Sequence, residues 1–302
     1  MNTTSSLPAT LLSPPLAPDG LPWVELKMGL VLYLPSPPSR ETVAKVYAAY
    51  MQRFGGRMRG YKSTASGHFV QDWTQQAQHE FETVLLPKLY RQMDWGYVFS
   101  DGLPTGSWLF MFHGHRRASE PNKASFLRFD FDRDVDASVV LEWARQVVRL
   151  TPFVWGSGGF YLQTRTNLSH ASEANDLAFG LAQRYWGIEA HSLDVTVKHA
   201  LEGIKCVNWL TLVGDELASR HPDAVAKACA GAFWSEATPH GTLLQASPTP
   251  LVGDRHRLER LDGLVAMAKA LAPLQVAEHG ALGGTRWTDD NTMEYLRRFE
   301  RA

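Results

Sequence analysis

The sequence predicts an α+β fold, with antiparallel or mixed sheets and packed helices built as pseudo-duplicated strand–helix–strand units. Three observations carry this. An apolar run GLVLYLP at residues 29–35 leads into a capped amphipathic stretch, the same order returns at FLRFDF, residues 126–131, and a third round begins at KCVNWLTLVG, residues 205–214. The repeated order is strand, helix, strand without strict βα alternation, which favours α+β.

GLVLYLP has the composition of a buried strand, and PSPPS closes it. Ser39 before Arg40, Glu41 and Thr42 makes an N-cap, and the helix it opens brings Val43, Val46, Tyr47 and Tyr50 to one stripe before Gly55-Gly56 ends it. Residues 74–94 read as a helix with Phe81, Val84, Leu85 and Leu89 along one side, broken or bent at Pro87. In residues 126–131, Leu127, Phe129 and Phe131 share one face and Arg128, Asp130 and Asp132 the other, which predicts a half-buried strand. Asp134 or Asp136 caps the next helix, whose Val140, Trp143, Ala144, Val147 and Val148 fall at i, i+3, i+4, i+7 and i+8. Pro152 and the run Gly156-Ser157-Gly158-Gly159 then stop it, and a strand FYLQT begins. The third round continues as a helix from Asp215 to Cys229, a strand TLLQA at 242–246 and a helix from Arg257 to Ala272, with a last helix from Asp289 to Arg301.

A chain of 302 residues with 44% hydrophobic and 20% charged residues can bury a full core and lies far from the disordered regime. Its 30 basic residues against 31 acidic ones give no basic excess for nucleic acid, so a partner must be recognised by local patches. Cys206 and Cys229 are too few for a disulfide framework and are expected as free thiols. Residues 1–25 read as a mobile tail: the first basic residue is Lys27, and Pro8, Pro14, Pro15 and Pro18 interrupt any secretory apolar run. No stretch approaches the roughly 20 apolar residues of a membrane helix, and the chain is expected in the cytoplasm. Residues 26–302 then form one compact domain, of two intimately packed halves divided near the polar stretch RRASEPNKAS, residues 116–125.

The glycine run raises the question of a phosphate loop. Such loops pass from strand to helix, where the helix N-terminus supplies free N–H groups; here a helix ends and a strand begins, so a turn needing positive φ is the better reading. His113 and His115 share a face if they lie on a strand, but no third metal ligand is near, and they read as a solvated strand end beside Arg116 and Arg117. The alternating carboxylates Asp130, Asp132, Asp134 and Asp136 lack the glycine and distal glutamate of a calcium loop. Two of them are expected to cap or flank the helix and the others to face water or a basic protein partner. Neither GxSxG nor HExxH occurs, so no catalytic, cofactor or metal residue is assigned.

The segments LTPFVWGSGGFYLQ (150–163), IKCVNWLTLVG (204–214) and HGTLLQASPTPLVGD (240–254), the last followed by a helix ending ALAPL, resemble the bacterial type VI secretion immunity family. The resemblance runs from about residue 26 to 275. Its landmarks are Trp155, Gly158 and Gly159 around the glycine run, Asn208 and Trp209 in the next strand, and Gly253 and Asp254 after the later one. The resemblance implies a non-enzymatic protein without cofactor that binds and neutralises a cognate effector toxin, protecting the producing cell and its kin. Its landmarks are expected to be scaffold, and no interface residue carries over. Placement in the cytoplasm points to a nuclease toxin, and Asp132, Asp134 and Asp136 are the candidate contacts for its basic face. An effector-loading adaptor, or a metal- or phosphate-dependent enzyme built on the glycine run and His113/His115, is the alternative. Neither nucleic acid nor membrane is an expected partner, and self-association is left open.

Overall fold

Strand β1 (Val24–Leu34) has a long strand on either side of it and organises the fold. The computed structural model describes residues 7–65, 71–90, 95–102, 106–116, 118–164 and 171–301. Helix α1 (Ala9–Leu12) precedes β1, and α2 (Arg40–Phe54), β2 (Gly60–Ser63), β3 (Gln71–Asp72), α3 (Gln75–Glu80), β4 (Gly96–Ser100), β5 (Leu109–His113) and β6 (Ser125–Phe131) follow it. Next come α4 (Ala137–Val147), β7 (Trp155–Thr164), α5 (Ala171–Arg184), β8 (Glu189–Ala190), α6 (Leu193–His199) and β9 (Leu210–Gly214). The chain closes with α7 (Asp215–Arg220), α8 (Pro222–Gly231), β10 (Trp234–Thr238), β11 (Gly241–Gln245), α9 (Asp262–Leu271) and α10 (Asp289–Leu296). Among the described residues the strands form one sheet in the order β10-β11-β9-β7-β1-β6-β5-β4-β2-β3, every pair antiparallel, and β8 adds a parallel pair to β7.

The pleat sorts the core into two sides. On one, Met28, Leu30, Leu32 and Leu34 of β1 join Phe110, Phe112, Phe129 and Phe131 of β5 and β6 beneath the apolar stripes of α2 and α4. Aromatic contacts fill this side: Phe110 stacks on Phe129 at 5.1 Å, and Tyr50 meets Trp143 edge-on at 5.6 Å. On the other, Val31, Tyr33, Trp155, Val213 and Leu244 pack with Val225 and Ala228 of α8 and Leu264, Met267 and Leu271 of α9.

The expected caps are present. The Ser39 hydroxyl accepts from the Thr42 N–H at 3.1 Å, and the Asp136 carboxylate accepts from the Ser138 N–H at 2.8 Å at the start of α4. The glycine run departs from expectation, for it lies inside β7 and not in a turn before it. Gly29 opposes Gly159 in the β1–β7 register, and a Cβ on Gly29 would sit 2.6 Å from the Tyr161 ring. Gly159 alone of the run has a positive φ, +148°, and its missing side chain leaves room for Asn208 Oδ1.

Other boundaries shift for local reasons. The helix expected over 215–229 is two helices, because Pro222 supplies no N–H and starts α8 afresh at its first turn. The third-round strand starts at Leu210, not Lys205, and its last helix starts at Asp262, not Arg257. From 75 on, α3 gives way to a π turn over Phe81–Leu85 and a 3-10 turn at Leu86–Lys88 around Pro87; residues 91–94 of that expectation lie outside the described residues. From Leu7 onward the N-terminal segment lies against the body: Leu11 and Ala17 are buried, and the Thr10 hydroxyl meets the Tyr185 hydroxyl at 2.6 Å.

Candidate functional site

The loop joining β6 to α4 is folded by its own carboxylates. Asp132 Oδ1 accepts from the Asp134 N–H at 3.0 Å, and Asp136 is the N-cap of α4. Bonds from Ser138 hold the Asp136 carboxyl below the usual carboxylate range, so it is ionised at neutral pH. Asp134 and Asp136 are exposed and Asp132 is half-buried. Between them Arg133 turns back, donating to the carbonyls of Leu11 at 3.4 Å and Leu12 at 3.3 Å. The N-terminal segment is thereby tied beside the acidic loop. The two enclose a cleft of about 490 Å³ lined by Leu12, Leu16, Glu25, Lys27, Asp132 and Asp134. Leu16 is 61% exposed, so the cleft offers an apolar lip next to an acidic wall.

Asp130 does not belong to this wall. It is 1% exposed, and Arg128 grips its carboxylate with Nε at 2.9 Å and Nη2 at 2.8 Å while also donating to the Tyr161 hydroxyl at 2.9 Å. Two residues apart on one strand face, Arg128 and Asp130 neutralise each other and need no water.

Three of the landmark residues, Gly158, Gly159 and Asn208, line a second buried charge centre. Glu189, on β8, accepts from Ser157 Oγ at 3.0 Å and from Asn208 Nδ2 at 3.0 Å, and its other oxygen meets the Lys205 ammonium. Burial alone would raise the Glu189 carboxyl, but Lys205 and then His191 pull it well below the usual range. Asn208 also accepts from the Trp209 N–H at 2.7 Å and so shapes the entry to β9. Trp155 donates to the Ala200 carbonyl at 3.0 Å and stacks on Tyr33 at 4.5 Å, Trp209 donates to the Ser247 carbonyl at 2.8 Å, and Gly158 packs between Leu30 and Leu210. Gly253 has φ +65°, and Asp254 after it is 0% exposed, held by Arg184 at 3.1 and 2.8 Å. Glu189 and Lys205 were not singled out from the sequence; the available signal was a lysine inside the apolar run IKCVNWL.

Ser157, Glu189 and His191 are residue types of a hydrolytic triad, but their connections are wrong for one. Ser157 bonds the carboxylate directly, His191 Nε2 has no partner among the described residues, and burial keeps His191 below its ordinary range. The space between these groups is about 20 Å³, room for about one water. His113 and His115 are separately engaged. His113 Nδ1 lies 2.9 Å from Thr64 Oγ1, with its ring pushed down to about 4 by burial and then by His115; His115 Nδ1 lies 2.9 Å from Glu120. They are thus partnered, not a free solvated pair, and Arg117 lies outside the described residues. Among the described residues no group of three or more His, Cys, Asp or Glu is placed to hold a metal ion, and no helix is long and apolar enough to cross a membrane.

Comparison with known proteins identifies the family. The model of the family described as TsiV, type VI immunity for VRR-NUC, matches residues 42–299. The Pseudomonas aeruginosa T6SS protein PA0821 has a similar structure, with a TM-score of 0.74 and 18% sequence identity, covering 93% of this chain and 85% of that one. At that identity the likeness speaks for the fold. A comparison with curated proteins gave no match.

Proposed function

Starting from the fact that the chain belongs to the TsiV family of type VI immunity proteins, we propose that its target is a VRR-NUC nuclease, met in the cytoplasm and held off its substrate. As a type VI secretion immunity protein the chain binds a cognate effector toxin; the nuclease chemistry and the mode of inhibition are the proposal. The observation that carries it is the family match over residues 42–299, whose description names VRR-NUC.

The surface supports this reading. A nuclease must offer a positive face to the phosphate backbone. The carboxylates of Asp132, Asp134 and Asp136 present negative charge of the matching sign beside the apolar lip of Leu12 and Leu16. A nanomolar complex needs about 12 kcal/mol, commonly spread over roughly 1,600 Å² of buried surface with a few anchors. Inhibition by occupying the substrate face asks for no catalysis by the inhibitor, so the chain acts as a binding protein and not as an enzyme.

The test is to purify the tagged chain with its stoichiometric companion, identify that companion by mass spectrometry, and express it with and without this chain. The reading expects growth arrest and fragmented DNA without the chain and neither with it. A companion that stays toxic in the complex would make the chain an adaptor. Recovery of the chain from the periplasmic fraction would defeat the cytoplasmic encounter.

A further inference from the structure

We propose that the loop of residues 253–263 is a second effector contact, in which Leu258 enters an apolar pocket within an acidic patch of the toxin. The inference rests on the immunity reading above and adds a surface to it.

Leu258 is 86% exposed, and its backbone is left-handed, φ 54° and ψ 36°. A glycine or asparagine suits that conformation, and a leucine there is disfavoured by its own Cβ. Neither backbone preference nor internal packing accounts for this side chain, whereas an anchor held out for a partner does.

The loop is braced to present it. The Asp254 carboxylate accepts from the His256 N–H at 3.0 Å as well as from Arg184, the Asp254 carbonyl accepts from the Arg257 and Glu259 N–H groups at 3.0 and 3.2 Å, and the Asp254 N–H donates to Glu259 at 2.9 Å. A preorganised loop loses little freedom on docking. Beside Leu258 lies a cleft of about 610 Å³ lined by Trp186, Arg255, Leu258, Arg260, Val265 and Phe299. A partner side chain has a place to enter here while Leu258 enters the partner.

Charge selects the occupant. Arg255, His256, Arg257 and Arg260 are exposed, with Arg257 59% and Arg260 82% accessible at the side chain. Asp254 is buried between Arg184 at 2.8 Å and Arg257 at 3.8 Å, Glu259 is turned inward onto the Asp254 N–H, and the exposed Asp262 pairs with Arg260 at 3.1 Å, so Arg184, Arg255, Arg257 and Arg260 stand against three carboxylates. The excess is cationic, so the complementary surface is acidic. Its sign is opposite to that of the 132–136 loop. An effector engaging both loops must offer basic and acidic patches in the right order, and this fixes orientation and rejects non-cognate toxins.

The experiment is calorimetric titration of the purified companion effector into the wild-type chain, Leu258→Gly and the double variant Arg257→Glu/Arg260→Glu. Glycine accepts the left-handed backbone, so Leu258→Gly is expected to melt at or above the wild-type temperature yet bind at least tenfold more weakly. The charge reversal is expected to slow association at low salt. Leu258→Gly binding within twofold of wild type overturns the proposal. So does a labelled DNA duplex retained by wild type and released by the charge reversal, which would make the loop a nucleic-acid contact. A dimer in sedimentation that Leu258→Gly dissolves would make it a self-association site and equally overturns the proposal. A wild-type chain that binds no effector overturns the immunity reading and the loop with it, whereas wild-type binding with an unaffected Leu258→Gly removes the loop alone.

Discussion

Two sets of charges in this molecule are made of the same residue types and do different work. Glu189, Lys205 and Asp130 are buried and Arg128 is half-buried, each satisfied by a named partner. Asp134, Asp136, Arg257 and Arg260 project into water from two loops. The residues that carry the family resemblance are mostly buried, and two of them serve the first set: Asn208 binds Glu189, and Gly159 makes room for Asn208. The family landmarks thus lie in the scaffold, while of the two loops proposed to meet the toxin only the second carries any of them, Gly253 and Asp254 at its start. Asp254 is the one bridge, a buried landmark whose bonds shape an exposed loop.

This contrast breaks first at Lys205. Lys205→Ala strands the Glu189 carboxylate without its counter-charge, and the expected loss is ~3–5 kcal/mol of stability in urea denaturation. Replacing both partners, Lys205→Met with Glu189→Leu, is expected to recover most of that loss. A single variant as stable as wild type would mean that the pair is not a structural element. Gly159→Ala comes next: a Cβ at φ +148° would lie 2.4 Å from Asn208 Oδ1. A loss of about 1–3 kcal/mol is expected, together with weaker effector binding in proportion to the unfolded fraction.

Acid gives a smaller effect. Burial, followed by a neighbouring positive charge, holds His113 and His279 down at about 4, against an unfolded value of about 6.5. On acidification the unfolded chain takes these protons first, so stability is full above the unfolded pKa and falls as pH drops from about 6.5 towards 4. Melting temperature should be lower at pH 5 than at pH 7, and the difference should shrink in His113→Gln/His279→Gln. A flat profile would show the two rings to be more open than their packing indicates.

The smallest stability change is expected on the loop. Asp132→Asn/Asp134→Asn/Asp136→Asn keeps an N-cap at 136, so stability should stay within about 0.5 kcal/mol of wild type. Effector association should nonetheless slow several-fold at low salt and converge with wild type at high salt. Unchanged association at low salt would remove this loop from the interface.

The sequence disclosed whatever repeats along one element. Ser39 announced its helix, Asp134 or Asp136 was expected to cap the next and Asp136 does, and the stripe from Val140 to Val148 placed α4 on the core. What escaped depends on neighbours in space. The glycine run looked like a turn, because nothing local says that Gly159 lies opposite Gly29 in the middle of a sheet and against Asn208. Asp130 looked solvated because its neutralising partner sits two residues back on the same face, a spacing equally common in exposed strands. Strands β4 and β5 were not set out as elements from the sequence, although their Phe99, Phe110 and Phe112 are central to the aromatic side of the core. For the candidate site, the acidic alternation was visible, but the cleft beside it needed Arg133 to reach back to Leu11 and Leu12. Leu258, inside RHRLER, gave no signal, since its exposure and its left-handed backbone are properties of the folded loop.

The most direct test of the central claim is to titrate the purified companion effector with this chain and follow cleavage of a labelled DNA duplex. The account predicts that cleavage falls in step with complex formation and stops at stoichiometric addition, with the 132–136 triple variant needing higher concentrations to do the same. Undiminished cleavage by an effector held in a stable complex would contradict it.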